Sequence, residues 1–85
     1  MPRYFFNTHD GEDIIDDEGL DLPGLTEARA QAIAASGEIL RDRGKAFWDG
    51  TEWMMRVLDE AGDVVCVLKF SAEEGGADVP AARGV

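Results

Sequence analysis

The chain is poor in almost everything that marks a specialised class of protein. It holds one cysteine, Cys66, so no internal disulfide can form, and a disulfide-stapled secreted scaffold is excluded. No apolar run approaches the ~20 residues of a spanning helix. The opening Met1-Pro2-Arg3-Tyr4-Phe5-Phe6 has no basic flank, long apolar stretch or small-residue cleavage site, so no secretory signal is expected and a cytoplasmic location is the default. Positive charge is scarce as well: eight Lys and Arg face eighteen Asp and Glu, a formal charge of −10. Phosphate binding needs clustered cations that release counterions, so neither nucleic acid nor anionic membrane is an expected partner.

What is present suffices for one small domain. Of 85 residues, 45% are hydrophobic, which is above the range of disordered chains. The aromatic run from Arg3 to His9 reads as a strand closed by the turn signal Asp10-Gly11. An acidic stretch from Asp10 to Asp21 follows, with Ile14-Ile15 at its centre as a short second strand, before Leu20 to Gly24 breaks the chain. Thr26 is the expected N-cap of a helix, with Glu27 in its first turn. Ala28, Ala32, Ala35 and Ile39 recur at helical spacing with Ile33, Ser36 and Leu40 beside them. This stripe is mostly small and suits a helix lying close on a sheet. Gly37 interrupts it and suggests a close backbone approach, Arg41 and Arg43 suit the C-terminal dipole, and Gly44 is the expected residue after the helix.

After Phe47-Trp48 and the turn Asp49-Gly50, two strand-like runs, Glu52 to Leu58 and Asp63 to Phe70, flank Asp59-Glu60-Ala61-Gly62. That loop reads as a type I turn with Gly62 in the left-handed region. A three-residue loop pairs Asp59 with Asp63 and sets Trp53 opposite Lys69, mixing the faces. A four-residue loop pairs Leu58 with Asp63, aligns Trp53, Met55 and Val57 with Val64, Cys66 and Leu68, and sets Glu52 opposite Lys69. Face segregation favours the second. The expected fold is α+β: a three- or four-stranded antiparallel sheet with one helix on one face, in the order β-(β)-α-β-β. The domain is expected over residues 1–71, with a disordered tail over 72–85.

The opening Met1-Pro2-Arg3-Tyr4-Phe5-Phe6 with Asp10-Gly11, then Asp17-Glu18-Gly19 and Leu22-Pro23, resembles a family of short bacterial proteins known only as a domain of unknown function. Phe47-Trp48-Asp49-Gly50, Glu52-Trp53, Asp59-Glu60-Ala61-Gly62 and Leu68-Lys69-Phe70-Ser71 are similar to its second half. The resemblance spans most of the chain up to Ser71. It implies a bacterial protein of alphaproteobacterial type, located in the cytosol, and brings no activity, cofactor or site residue with it.

The residues themselves bear on several chemistries. The carboxylates Asp10, Glu12, Asp13, Asp16, Asp17, Glu18 and Asp21 suggest a weak calcium-binding module, but the EF-hand spacing fails: counting from Asp10, the fifth ligand position is Ile14. A glycosidase pair of acids needs a cleft that raises one pKa, which a solvated loop does not supply. His9 beside Asp10 has no Ser or Cys nucleophile near it in sequence, and Cys66 falls on an inward face as a small hydrophobe. Trp48 and Trp53 read as core plugs rather than a stacking platform. No enzymatic activity, cofactor or metal is therefore expected.

The outer sheet face, away from the helix, is the candidate site. Phe5, Met54, Arg56, Leu58, Val65, Val67 and Lys69 are expected there, and the face is only half polar where a solvated one alternates fully. The leading expectation is a non-catalytic protein-interaction module, homodimeric through this face or bound to an unidentified protein partner. The alternative is an antitoxin-like or acidic inhibitor of a basic partner. The short strands, Leu-Pro turn and Ala-rich helix are loosely similar to antitoxins of the HicB type, without a DNA-binding segment.

Overall fold

The computed structural model describes residues 1–49 and 52–72. Seven elements follow in chain order: β1 (Arg3–His9), β2 (Asp13–Ile14), β3 (Leu20–Asp21), α1 (Leu25–Arg43), a 3₁₀ segment (Gly44–Asp49), β4 (Trp53–Leu58) and β5 (Val64–Phe70). The turn expected at Asp49-Gly50 and the tail beyond residue 72 fall outside the described residues. All strand pairs are antiparallel, in the order β2-β1-β4-β5, with β3 also paired to β1. The α+β class holds. The sheet has five strands rather than three or four, because Leu20–Asp21, read in the sequence as a break, pairs with Arg3 and Tyr4.

Burial alternates along β4 because the described chain covers one face of the sheet and not the other. In β4, Trp53, Met55 and Val57 are buried, while Met54, Arg56 and Leu58 point away from the core. Tyr4 joins the buried set from β1, and Phe6, Cys66 and Leu68 pack against it. Across this face lies α1. Its buried residues Ala28, Ala32 and Ser36 fall four apart on one stripe, so the helix approaches closely and Ser36 donates to the Met55 thioether at 3.6 Å. Ile33 lies off that stripe and is 64% exposed, unlike its expected place beside the core.

The N-cap lies two residues before the expected Thr26. Gly24 is the N-cap, in extended conformation and without a side-chain cap, and its carbonyl accepts from Ala28 N–H at 3.0 Å. At the other end, Gly44 has φ +48° and its N–H bonds Leu40 O, as expected of the residue after a helix. Arg43, in the last turn, pairs with Asp10 at the end of β1 and lies 6.0 Å from the Phe47 ring centroid. Gly37 shows no close approach, since a Cβ there would meet nothing within 4 Å. Gly37→Ala is therefore expected to stabilise the domain by up to about 1 kcal/mol through helix propensity. In a domain of this size that raises the melting temperature by roughly 4–8 °C, readable by thermal denaturation.

The β4–β5 hairpin corrects the expected register. Asp59 N–H bonds Asp63 O at 3.0 Å and Gly62 N–H bonds Asp59 O at 3.0 Å, so the turn closes as the three-residue loop, with Gly62 at φ +87°. The Asp59 carboxylate also accepts from Ala61 and Asp63 N–H. A bulge then inserts Val65: Leu58 pairs with Val64, but Val57 pairs with Cys66 and Trp53 with Phe70. Lys69 consequently faces Met54 rather than Glu52. Face segregation is kept, as the hydrophobic pattern demands, through an extra residue in the strand rather than in the loop.

Candidate interaction face

Register assembles the outer face in three rows. His9, Met54 and Lys69 form one, Asn7, Arg56 and Val67 the next, and Phe5, Leu58 and Val64 the third. Six of the seven residues expected on this face are therefore there: Phe5, Met54, Arg56, Leu58, Val67 and Lys69. The exception is Val65. The bulge turns it inward to pack against the core cluster and leaves Val64, expected inside, 50% exposed in its place. A bulge shifts side-chain parity, and strand alternation alone cannot signal it.

Phe5, Met54 and Leu58 are half-buried among their strand neighbours, and Val67 is 43% exposed. Asn7 and His9 escaped the sequence reading of this face, although they share the odd parity of Phe5 in β1. At the His9 end a shallow depression is lined by His9, Asp13, Glu52, Met54 and Arg56. His9 Nδ1 lies 2.7 Å from Asp13 Oδ1, so the partner of His9 is Asp13 across the β1–β2 turn, not Asp10. The charges here are mixed: Arg56 and Lys69 stand among Asp13 and Glu52.

The acidic stretch next to this face has a structural occupation. The strand opposite β1 is interrupted between Ile14 and Leu20, and Asp16 fills the gap. Its carboxylate accepts from Phe6 N–H at 3.1 Å, Glu18 N–H at 3.1 Å and Gly19 N–H at 3.0 Å, while its own N–H donates to Asn7 Oδ1 at 2.9 Å. Burial acts to raise the Asp16 pKa, but the Gly19, Phe6 and Glu18 N–H groups and the Arg3 charge outweigh it, and the pKa lies below the usual carboxylate value. The sequence signal is Asp16-Asp17-Glu18-Gly19, an Asp three residues before a Gly, which is a turn signature. Gly19 adopts φ +74° and passes under the Phe5 ring and the Arg3 stem. Arg3 in turn bonds Asp21 through two nitrogens and donates to Glu18 O, holding β3 on β1. Among the described residues, no three His, Cys, Asp or Glu side chains converge as metal ligands.

Trp48, Trp53 and Cys66 all read as structural in the sequence. Trp53 is core, at 1% exposure, with Phe70 edge-on at 5.9 Å. Trp48 is not: it is 61% exposed, beside a cleft of about 480 Å³ shared with Leu40, Phe47 and Phe70. Cys66 lies half-buried against the core with Leu68, as its inward parity implies. On the β1 side of the helix a cleft of about 430 Å³ runs between Phe6, Ile14, Ala35 and Ile39, with Arg43 at its rim. No helix among the described residues is long and apolar enough to cross a membrane.

One helix against one face of an antiparallel sheet, with no described element over the other face, defines a small two-layer α+β domain. A family model described as a domain of unknown function, DUF6894, matches residues 3–71. The chain belongs to that family. No curated protein and no solved structure matches it.

Proposed function

We propose that the protein is a non-catalytic interaction module whose outer sheet face pairs two copies of the chain. The observation that carries this reading is the composition of that face. It sets Phe5, Met54, Leu58, Val64 and Val67 in adjoining rows, with no second layer of the described chain over them. Contiguous apolar surface of this kind marks association sites in monomeric folds. Charge favours a second copy as the occupant. With a net charge of −10, two copies repel over most of their surfaces, but here Arg56 and Lys69 balance Asp13 and Glu52. Face-to-face pairing about a two-fold axis lets each cation meet an acid of the other copy. The acidic loops then remain free to steer a basic partner.

Solution mass across a concentration series is the test. Met54→Glu is the variant of choice, because Met54 lies on the interior strand β4 opposite Lys69, which accommodates the new carboxylate within one copy. On association that carboxylate must be desolvated, so the variant is expected to halve the mass measured by light scattering while the far-UV circular dichroism stays the same. A wild-type chain that stays at 9.2 kDa up to millimolar concentration, or a Met54→Glu chain of unchanged mass, overturns the reading.

A further inference from the structure

The two edges of the sheet are built differently. On the β2/β3 side the ladder is broken, the Asp16 carboxylate stands where a strand partner would continue, and Asp13, Asp17, Glu18 and Asp21 line the rim. An added strand would meet carboxylates there. β5 forms the opposite edge and, among the described residues, pairs with β4 alone. It runs Val64–Phe70 with no acid and no proline, and Lys69 is its only charge in a chain carrying −10. Long apolar edges are templates for another strand and are ordinarily blunted by bulges, prolines or several charges. The bulge at Val65 disturbs only the first turn-side residues, leaving Cys66–Phe70 in regular register with β4.

A second observation points to the same edge from the helix layer. Ile33, at 64% exposure, leans over β5 and walls a groove of about 220 Å³ with Arg29, Ala32, Cys66 and Leu68. The sequence spacing places Ile33 with the apolar stripe of α1, yet no described part of its own chain covers it. The apolar strip is thus continuous from the backbone edge of β5 to the flank of α1.

We propose that β5 pairs antiparallel with β5 of a second copy over Cys66–Phe70, making one sheet through both molecules, with the Ile33 side chains of the two copies closing over the seam. In the register that uses all five regular residues, Leu68 lies on the two-fold axis opposite Leu68 of the second copy. Phe70 faces Cys66, and Lys69 faces Val67. Lys69 never opposes Lys69, and no carboxylate enters the seam. The contact is separate from the outer-face contact, and a chain using both assembles as a tetramer of dihedral symmetry.

The test is Ile33→Lys in the full chain. Arg29 lies one helical turn earlier and would neutralise a glutamate, whereas a lysine adds like charge on both sides of the seam. Ile33 is exposed, so the variant is expected to keep the wild-type circular dichroism and melting temperature while the mass by light scattering halves. Amide exchange over residues 66–70 is expected to slow at least tenfold in wild type as concentration rises through the association range, and to stay fast in Ile33→Lys. An unchanged mass for Ile33→Lys, or exchange over 66–70 that ignores concentration, overturns the proposal. Met54→Glu separates the two contacts: it is expected to leave the concentration-dependent protection of β5 intact even where it lowers the mass.

Discussion

Asp16→Ala is expected to be the most damaging surface substitution in this protein, lowering its stability by about 2–4 kcal/mol on the scale of charged hydrogen bonds lost and a donor left unpaired. Three backbone N–H groups converge on the carboxylate, and one of them, Phe6 N–H, belongs to the central part of β1 where the β2/β3 edge is interrupted. Truncation leaves that half-buried donor with no acceptor from its own sheet. Domains of this size are held by only about 0.05–0.15 kcal/mol per residue, so the loss is a large share of the total. Urea denaturation followed by Trp53 fluorescence is the measurement, with Asp16→Asn as the informative partner. The amide keeps one acceptor oxygen and is expected to recover part of the loss. If Asp16→Ala unfolds at the wild-type urea midpoint, the carboxylate does not hold this edge.

The same group makes stability depend on acid in a defined direction. The folded pKa of Asp16 lies below its unfolded value. Folding therefore favours the ionised form, and the contribution is fully present above the unfolded pKa, near 3.9 for aspartate. It is lost as pH falls below that value and through the folded pKa. Wild type is expected to lose stability over that acid range more steeply than Asp16→Asn, whose amide does not titrate. Parallel pH profiles of the two chains would mean that other carboxylates dominate acid unfolding.

Gly19→Ala is the second large effect, and Gly11→Ala calibrates it. Both glycines sit in the left-handed region, at φ +74° and φ +79°. An alanine in that conformation costs roughly 1–2 kcal/mol at either position. At Gly11 nothing lies within 4 Å of the added methyl, so the conformational cost is the whole effect. At Gly19 the methyl would fall 2.8 Å from Phe5 Cε2 and 2.9 Å from Arg3 Cγ, closer than carbon atoms pack. The Phe5 ring and Arg3 stem must move, which adds about 1–3 kcal/mol of overpacking. Thermal melts of the two variants should therefore differ by several degrees, with Gly19→Ala lower. Because Phe5 belongs to the proposed pairing face, Gly19→Ala is also expected to weaken association where Gly11→Ala does not. Equal melting temperatures would show that the Phe5 ring yields without cost.

Local signals carried much of this fold. The aromatic run Arg3 to His9 with Asp10-Gly11 behind it is β1 with its stated bounds, since a strand followed by a glycine turn needs only neighbouring residues. The stripe Ala28, Ala32, Ala35 and Ile39, with Ser36 beside it, names the helix face that meets the sheet, because helical spacing is set by backbone geometry. There Ala28, Ala32 and Ser36 are buried, and Ala35 and Ile39 pack against the core. Alternation in Trp53 to Leu58 separates core from outer face for the same reason. The family relationship was also legible, and six of the seven outer-face residues followed from parity alone.

What tertiary structure decided is where local rules compete. The sequence offered a choice between a tight turn and segregated faces in the hairpin. The folded chain takes both, by placing the extra residue at Val65, and so exchanges Val64 and Val65 between core and surface. Ile33 satisfies the helical period, yet the close seating of the Ala and Ser stripe on the sheet leaves it outside. Asp16 reads as one of seven solvated acids. Only the approach of β1 shows that its oxygens complete a backbone ladder, because hydrogen-bond partners ten residues apart are set by how strands lie together and not by the residues next to them.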